Sequence, residues 1–86
     1  MRVHIPTALR SYTGQNGEVD VDGATLADAL TALDHRYPGI RFRIITEQDK
    51  IRPHIRIFVN EEPLHDLTAP LHQTGTLYII CALSGG

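Results

Sequence analysis

One stripe of apolar residues at helical spacing lies between segments in which apolar and polar residues alternate, as they do in β-strands. This order restricts the chain to a small group of folds. Four apolar residues recur at the spacing that places side chains on one face of a helix, namely Leu26, Ala29, Leu30 and Leu33. Thr25 is a natural N-cap, and acidic Asp28 complements the positive end of the helix dipole. Pro38 and Gly39 then stop the helix. We therefore predict one helix that begins within two residues of Thr25 and ends before Pro38.

Two alternating segments precede this helix. Residues 2–5 and 18–22 place apolar side chains at every second position, as half-buried strands do. The polar, glycine-rich residues 13–17 between them are typical of a turn. The pattern predicts a β-hairpin, with Leu9 and Tyr12 lying under the sheet before the chain reverses.

Two further alternating segments follow the helix. Residues 54–60 direct Ile55, Ile57 and Val59 to one side, and residues 76–83 alternate in the same way. Between them, residues 61–63 are expected to form a turn and residues 64–75 a loop-rich stretch anchored by leucines. Residues 40–50 fit either a short helix or an irregular lobe.

The predicted order is strand, strand, helix, strand, loop, strand. A hairpin followed by a helix that covers one sheet face is an α+β design, and this order is that of the β-grasp fold. The 86 residues suffice for one domain. We expect a mixed sheet of four to five strands packed on one main helix in residues 1–83, followed by a flexible tail in residues 84–86.

Composition and the distribution of apolar residues argue against several classes of function. The formal charge of -2 does not favour nucleic-acid binding, and the basic residues form only a loose group between Arg41 and Arg56. Residues 1–6 lack the apolar core of a signal peptide, and no stretch approaches the about 18 apolar residues of a membrane span. The single cysteine, Cys81, suits a reducing compartment. These features predict a cytoplasmic protein that does not act at a membrane.

The sequence ends in Gly85 and Gly86 directly after the last predicted strand. Without a Cβ atom, such a tail can enter a channel too narrow for other residues and present its carboxylate to another protein. A frayed end or a cloning scar is the alternative reading of a terminal glycine pair. The remainder of the chain favours the functional reading.

Four stretches of the chain resemble the sulfur-carrier branch of the ubiquitin-like superfamily, in particular MoaD/ThiS-type proteins such as the small subunit of molybdopterin synthase. These stretches are IPTALRSYTG, ATLADALTALDHRYPGI, IRIFVNEE and ALSGG. The resemblance covers nearly the whole chain. Cys81 departs from it, because many members of the family have a proline at this position.

The resemblance implies that Gly86 carries the chemistry. An adenylating, ThiF/MoeB-like enzyme would use MgATP to activate its carboxylate, and a sulfur donor protein would then convert it to a thiocarboxylate. Ser84 and Gly85 would let the tail thread into partners, with a reach of roughly 16 Å from Ala82 at about 3.3 Å per residue. The chain would bind no cofactor and would be a co-substrate, possibly the small subunit of a synthase complex, and not an enzyme.

The resemblance leaves the destination of the sulfur open. Molybdopterin, the precursor of the molybdenum cofactor, is the favoured destination, in which case a sulfur-accepting synthase subunit is a further partner. Thiamine, cysteine and a sulfur-containing secondary metabolite are the alternatives. A ubiquitin-like modifier joined to target lysines through Gly86 would use the same activated tail, whereas a simple interaction module would not need the glycines.

A carrier must also dock on its partners. The alternation predicts that Phe58, Tyr78 and Ile80 project from the sheet face away from the helix, where clustered apolar groups form a partner surface. In the alternative arrangement, residues 40–50 fold over this face and bury all three.

Other chemistries find less support in the sequence. The five histidines show no metal-ligand spacing, and Ser11 and Ser84 have no identifiable His and carboxylate partners. Cys81 is expected to pack as a small apolar residue and not to act as a reactive thiol.

Overall fold

The computed structural model describes residues 1–72 and 75–82, and its secondary structure follows the predicted order closely. The elements are β1 (Arg2–His4), a 3-10 helix (Thr7–Thr13), β2 (Glu18–Asp20), α1 (Leu26–Arg36), α2 (Ile40–Ile44), β3 (Ile55–Val59), β4 (Glu62–Leu64) and β5 (Thr76–Cys81).

Within the described residues, the strands form one mixed sheet in the order β2-β1-β5-β3-β4. The first and last strands, β1 and β5, are parallel neighbours at its centre, and the other pairs are antiparallel. This is the β-grasp arrangement that the sequence predicts. It places β5, the strand that leads to the tail, between β1 and β3, where both of its edges are hydrogen-bonded.

Helix α1 confirms the prediction made from its apolar stripe. The Thr25 side chain accepts a hydrogen bond from the backbone N of Asp28 at 3.2 Å, which caps the first turn. All four residues of the stripe are buried against the sheet, and Leu30 is fully inaccessible. After α1 ends at Arg36, Gly39 adopts a φ of +99°, a conformation that side chains with a Cβ rarely take, and so the chain turns sharply into α2.

The segment from residue 40 to residue 50 begins as the short helix α2. It does not cover the sheet face that points away from α1. Ile40, Ile44 and Ile45 are fully buried in the same core as α1, and α2 packs on α1 and on the 3-10 helix. An Asp34 side-chain oxygen accepts hydrogen bonds from the backbone N of Gly39 and of Arg41 at 3.1 and 3.0 Å, which fixes the start of α2.

The structure corrects two expectations and confirms another. Residues 62–64, predicted as part of a turn and the following loop, form the edge strand β4, and Pro63 is tolerated there because an edge strand needs fewer backbone donors. The connection after β1 contains a 3-10 helix, and, as expected, Leu9 is buried there and Tyr12 is partly buried against the core. Strand β5 ends at Cys81, so Ala82, which was predicted to belong to it, follows the strand, and the predicted last residue Leu83 lies outside the described residues.

Candidate functional site

The end of β5 determines where the predicted tail begins. Cys81 pairs with Ile55 on β3, and the backbone N of Ala82 donates a hydrogen bond to the carbonyl oxygen of His54 at 2.7 Å. The chain is therefore held by the sheet up to Ala82. The predicted reactive residue Gly86 and the threading residues Ser84 and Gly85 lie outside the described residues.

The structure brings together the three residues predicted to dock on partners. Phe58 lies directly opposite Tyr78 in the antiparallel register of β3 and β5, and Ile80 follows Tyr78 two residues later on the same face. Tyr78 and Ile80 are each 37 % exposed, and Phe58 is half-buried. We call these three residues the open-face patch. Their placement on the sheet face away from α1 agrees with the alternation, whereas their role in docking stays a prediction.

Polar groups surround the open-face patch. Asn60 and Glu61 line a shallow depression together with the patch, and Arg56 lies opposite Ile80. On the side of β1, the ring of His4 lies 5.7 Å from the ring of Tyr78. An apolar centre inside a polar rim is the usual composition of a protein interface.

Asn60 is a site residue that the sequence analysis placed only at the end of the alternating segment 54–60. It has a φ of +55°, which asparagine tolerates better than most residues, and it joins β3 to β4. Its backbone N donates to the carbonyl oxygen of Thr76 at 2.9 Å, and its side-chain oxygen accepts from the backbone N of Thr76 at 3.1 Å. Asn60 therefore fixes the start of β5 next to the patch. The signal in the sequence was an asparagine at the end of an alternating segment, next to a predicted turn.

Cys81 lies on the helix side of β5, away from the open-face patch. It is half-buried and packs against the hydrophobic core, as expected for a small apolar residue. Burial raises the pKa of its thiol above the ordinary value, so little thiolate is present at neutral pH.

Residues 1–72 and 75–82 contain no group of three or more His, Cys, Asp or Glu residues that could hold a metal ion. No helix among them is long and apolar enough to cross a membrane.

Comparison with known proteins points to one family. The model of the ThiS family matches residues 3–86 of this chain. The sulfur carrier protein CysO of Mycobacterium tuberculosis (strain ATCC 25618 / H37Rv) is 30 % identical over 89 residues, a match that covers 98 % of this chain and 96 % of CysO.

Solved structures agree with this similarity. The structure of the BexX/CysO complex of Amycolatopsis orientalis contains a chain with a TM-score of 0.91 and 34 % identity, covering 99 % of this chain and 98 % of that one. The small archaeal modifier protein 1 of H. volcanii has a TM-score of 0.76 and 27 % identity, covering 96 % of this chain and 97 % of that one.

Proposed function

The chain belongs to the ThiS family of ubiquitin-like sulfur carriers, and on that premise we propose that it carries sulfur as a thiocarboxylate on Gly86. The observation that carries the proposal is the extent of the family match, which runs to residue 86 and so includes the Ser84-Gly85-Gly86 end. The fold supports it, because β5 is a central strand and provides a firmly held base for the residues that follow.

The proposed chemistry takes place at the terminal carboxylate. A carboxylate is a poor electrophile, so the partner joins it to the α-phosphate of MgATP and releases pyrophosphate. A sulfur nucleophile then attacks the acyl carbon of the adenylate and displaces AMP, which leaves a carbon–sulfur bond on Gly86. The reduced sulfur of this thiocarboxylate is later passed to an acceptor molecule. The general acids and bases for these steps belong to the partners, so the chain is a co-substrate and not an enzyme by itself.

We propose three kinds of partner, all in the cytoplasm. They are an adenylating enzyme of the ThiF/MoeB type, a sulfur donor protein and a sulfur-accepting enzyme. The BexX/CysO complex supports this view, because there a similar chain is bound to another protein. The open-face patch is the docking surface that we propose for them, since Tyr78 and Ile80 remain accessible beside the end of β5.

The expected destination of the sulfur changes with the comparisons. Molybdopterin was favoured by the resemblance alone, but the relatives described above give it no specific support. We favour cysteine among the remaining destinations, because the 30 % identical relatives are sulfur carriers of the CysO type.

A second candidate function is covalent protein modification. The similarity to small archaeal modifier protein 1 supports it, since that protein is named a modifier and its sequence is 27 % identical to this chain. A modifier would transfer the activated Gly86 acyl group to a lysine amine and form an isopeptide bond. Both functions begin with the same adenylate and differ in the nucleophile that accepts the acyl group.

Reconstitution with the adenylating enzyme of the host tests the proposal. The intact chain is mixed with that enzyme and MgATP, and ATP–pyrophosphate exchange reports formation of the adenylate. Sulfide, or a persulfide donor together with a thiol that reduces the resulting acyl disulfide, is then added, and intact mass spectrometry should show one oxygen replaced by sulfur. Reactions without ATP and without the enzyme are the controls.

The possible outcomes separate the candidates. Exchange followed by the oxygen-to-sulfur mass change supports the carrier. Exchange without thiolation, together with covalent adducts on lysines of host proteins, would favour the modifier. Absence of exchange with a partner that adenylates another carrier would contradict both functions.

A further inference from the structure

A second groove opens at the end of β5, on the sheet face opposite the open-face patch. It has a volume of about 400 Å³. Its lining includes residues from four separate stretches of the chain, namely Ala8, Phe42, Arg43, Arg52, His54 and Cys81. Because Ala82 follows Cys81 and is hydrogen-bonded to His54, the groove lies beside the residues that lead into the tail. We call it the basic groove.

Arg52 is held in place within the basic groove. Its Nε donates a hydrogen bond to the carbonyl oxygen of Phe42 at 2.8 Å, and its guanidinium lies 4.7 Å from the centre of the Phe42 ring. Its backbone N also donates to the carbonyl oxygen of Ile44 at 3.0 Å. A cation that is already fixed loses less conformational entropy when it meets a partner.

Arg43 is the cation of the basic groove that is available for a partner. Its side chain is exposed and makes no hydrogen bond or ion pair with any residue of the two described ranges. Arg41, two residues earlier, is instead paired with Asp49 at 3.4 Å. Phe42 between them is 53 % exposed, so an apolar surface lies next to the available charge.

The charges of the chain are unevenly distributed along the sequence, and Arg43 and Arg52 of the groove belong to its basic segment. Residues 41–56 hold five of the eight Lys and Arg residues but only two of the ten Asp and Glu residues, which gives this segment a formal charge of +3. The remaining residues hold three cations and eight acids, a formal charge of -5. A short acidic segment would be attracted here, whereas a long polyanion would meet repulsion from the rest of the surface.

We propose that the basic groove receives a carboxylate-rich segment of the adenylating enzyme, so that this partner holds the end of β5 from both sheet faces. The inference rests on the proposed function and adds a second contact to it. The carboxylates would pair with Arg43 and Arg52, and the exposed ring of Phe42 would pack against apolar atoms beside them. Contact on both faces would direct the tail toward the active site of the partner.

Charge changes at Arg43 test this inference in the ATP–pyrophosphate exchange assay with the complete carrier and the intact adenylating enzyme. At an ionic strength of about 0.01 M, we expect the KM for the carrier to rise about 3-fold in Arg43→Gln and about 10-fold in Arg43→Glu. The kcat should not change. These ratios should shrink at about 0.15 M, because salt screens exposed charges. Arg36→Gln removes the same charge from the end of α1 and should change the KM by less than about 2-fold.

A second measurement uses Cys81, the only cysteine of the chain, which lines the basic groove. A saturating amount of the partner, without ATP, should slow the alkylation of Cys81 by a maleimide, read from the intact mass of the carrier. Arg43→Glu should weaken this protection at equal partner concentration. An unchanged alkylation rate in the presence of the partner would mean that the groove stays open and would overturn the inference.

The kinetic outcomes keep the inference separate from the proposed function. If wild-type carrier is adenylated and Arg43→Glu has the same KM at low salt, the groove inference is wrong and the carrier function stands. If the KM for ATP rises instead of the KM for the carrier, the groove binds phosphates and the inference is also wrong. If the wild-type carrier is not adenylated at all, the proposed function fails and the inference fails with it.

Discussion

The two faces of β5 have opposite physical character although they belong to the same six residues. Ile79 is fully buried against α1 and the core, whereas its neighbour Ile80 is 37 % exposed on the open face. The alternation of a strand is enough to produce this difference, because successive side chains point to opposite faces. One face therefore supplies the stability of the fold, and the other face, together with the tail, is available for partners.

The difference between the two faces determines where substitutions should act. Changes on the helix side of the sheet should lower the free energy of unfolding and affect function only through folding. Changes on the open face or in the tail should leave the fold intact and affect recognition or chemistry. Four predictions test this division, beginning with the largest expected effect.

Deletion of Gly86 should abolish thiolation while the protein remains folded. The truncated carboxylate would end about 3.3 Å short of the active site of the partner. Gly85→Val should fail for a different reason, since a side chain would obstruct a narrow channel. Both variants should keep the thermal midpoint of the full chain, because a terminal tail contributes little burial. Adenylation of the truncated chain at the wild-type rate would show that the glycines are only a frayed end.

Ile79→Ala and Ile80→Ala form a matched pair that removes the same atoms from opposite faces. We expect Ile79→Ala to lower the free energy of unfolding by about 2 to 5 kcal/mol, because it leaves a cavity in a fully buried site. Ile80→Ala should cost about 1 kcal/mol, because part of the side chain is already hydrated in the folded protein and its removal leaves no closed cavity. Urea denaturation measures both values. Equal losses would contradict the division between the two faces.

On the open face, substitutions should lower the affinity for the partner more than the stability of the fold. Tyr78→Ala and Phe58→Ala are each expected to weaken binding to the adenylating enzyme by more than about 1 kcal/mol, as truncation of a central aromatic contact does. Calorimetric titration measures the affinity, and Thr31→Ala on the exposed side of α1 is the matched control that should bind normally. Because Phe58 is half-buried, the thermal midpoint of the Phe58→Ala variant must be measured as well, to separate a loss of binding from a loss of folding. Normal binding by both variants would remove the open-face patch from the interface.

The smallest expected effect concerns the cap of α1. Thr25→Ala should lower the free energy of unfolding by about 1 kcal/mol, because the backbone N of Asp28 loses its hydrogen-bond acceptor. Thr25→Ser keeps an acceptor oxygen and should restore most of the loss. Neither variant should change the affinity for the adenylating enzyme. A change in affinity without a change in stability would place the start of α1 in the interface.

Local patterns were sufficient to predict the elements with strong periodicity. The helix between Thr25 and Pro38 has its cap, stripe and stop encoded within a few residues, and the face occupied by Tyr78 and Ile80 follows from simple alternation. The members of the open-face patch can therefore be predicted from the sequence, provided that β3 and β5 are neighbours in the sheet.

The remaining features depend on contacts between distant residues. Strand β4 contains Glu62 and Pro63, which disfavour strands locally, and it exists because Val59 pairs with Glu62 across a tight turn. The basic groove combines Ala8, Arg43 and Cys81, which only the tertiary fold brings together. No local pattern in the sequence indicates either feature.

The most direct test of the central claim is the mass of the carrier isolated from its native host under conditions that preserve thiocarboxylates. The account predicts a fraction of molecules in which sulfur replaces one oxygen, with fragmentation locating the change on Gly86. A carrier found only with oxygen at Gly86, in cells whose adenylating enzyme and sulfur donor are active, would contradict it.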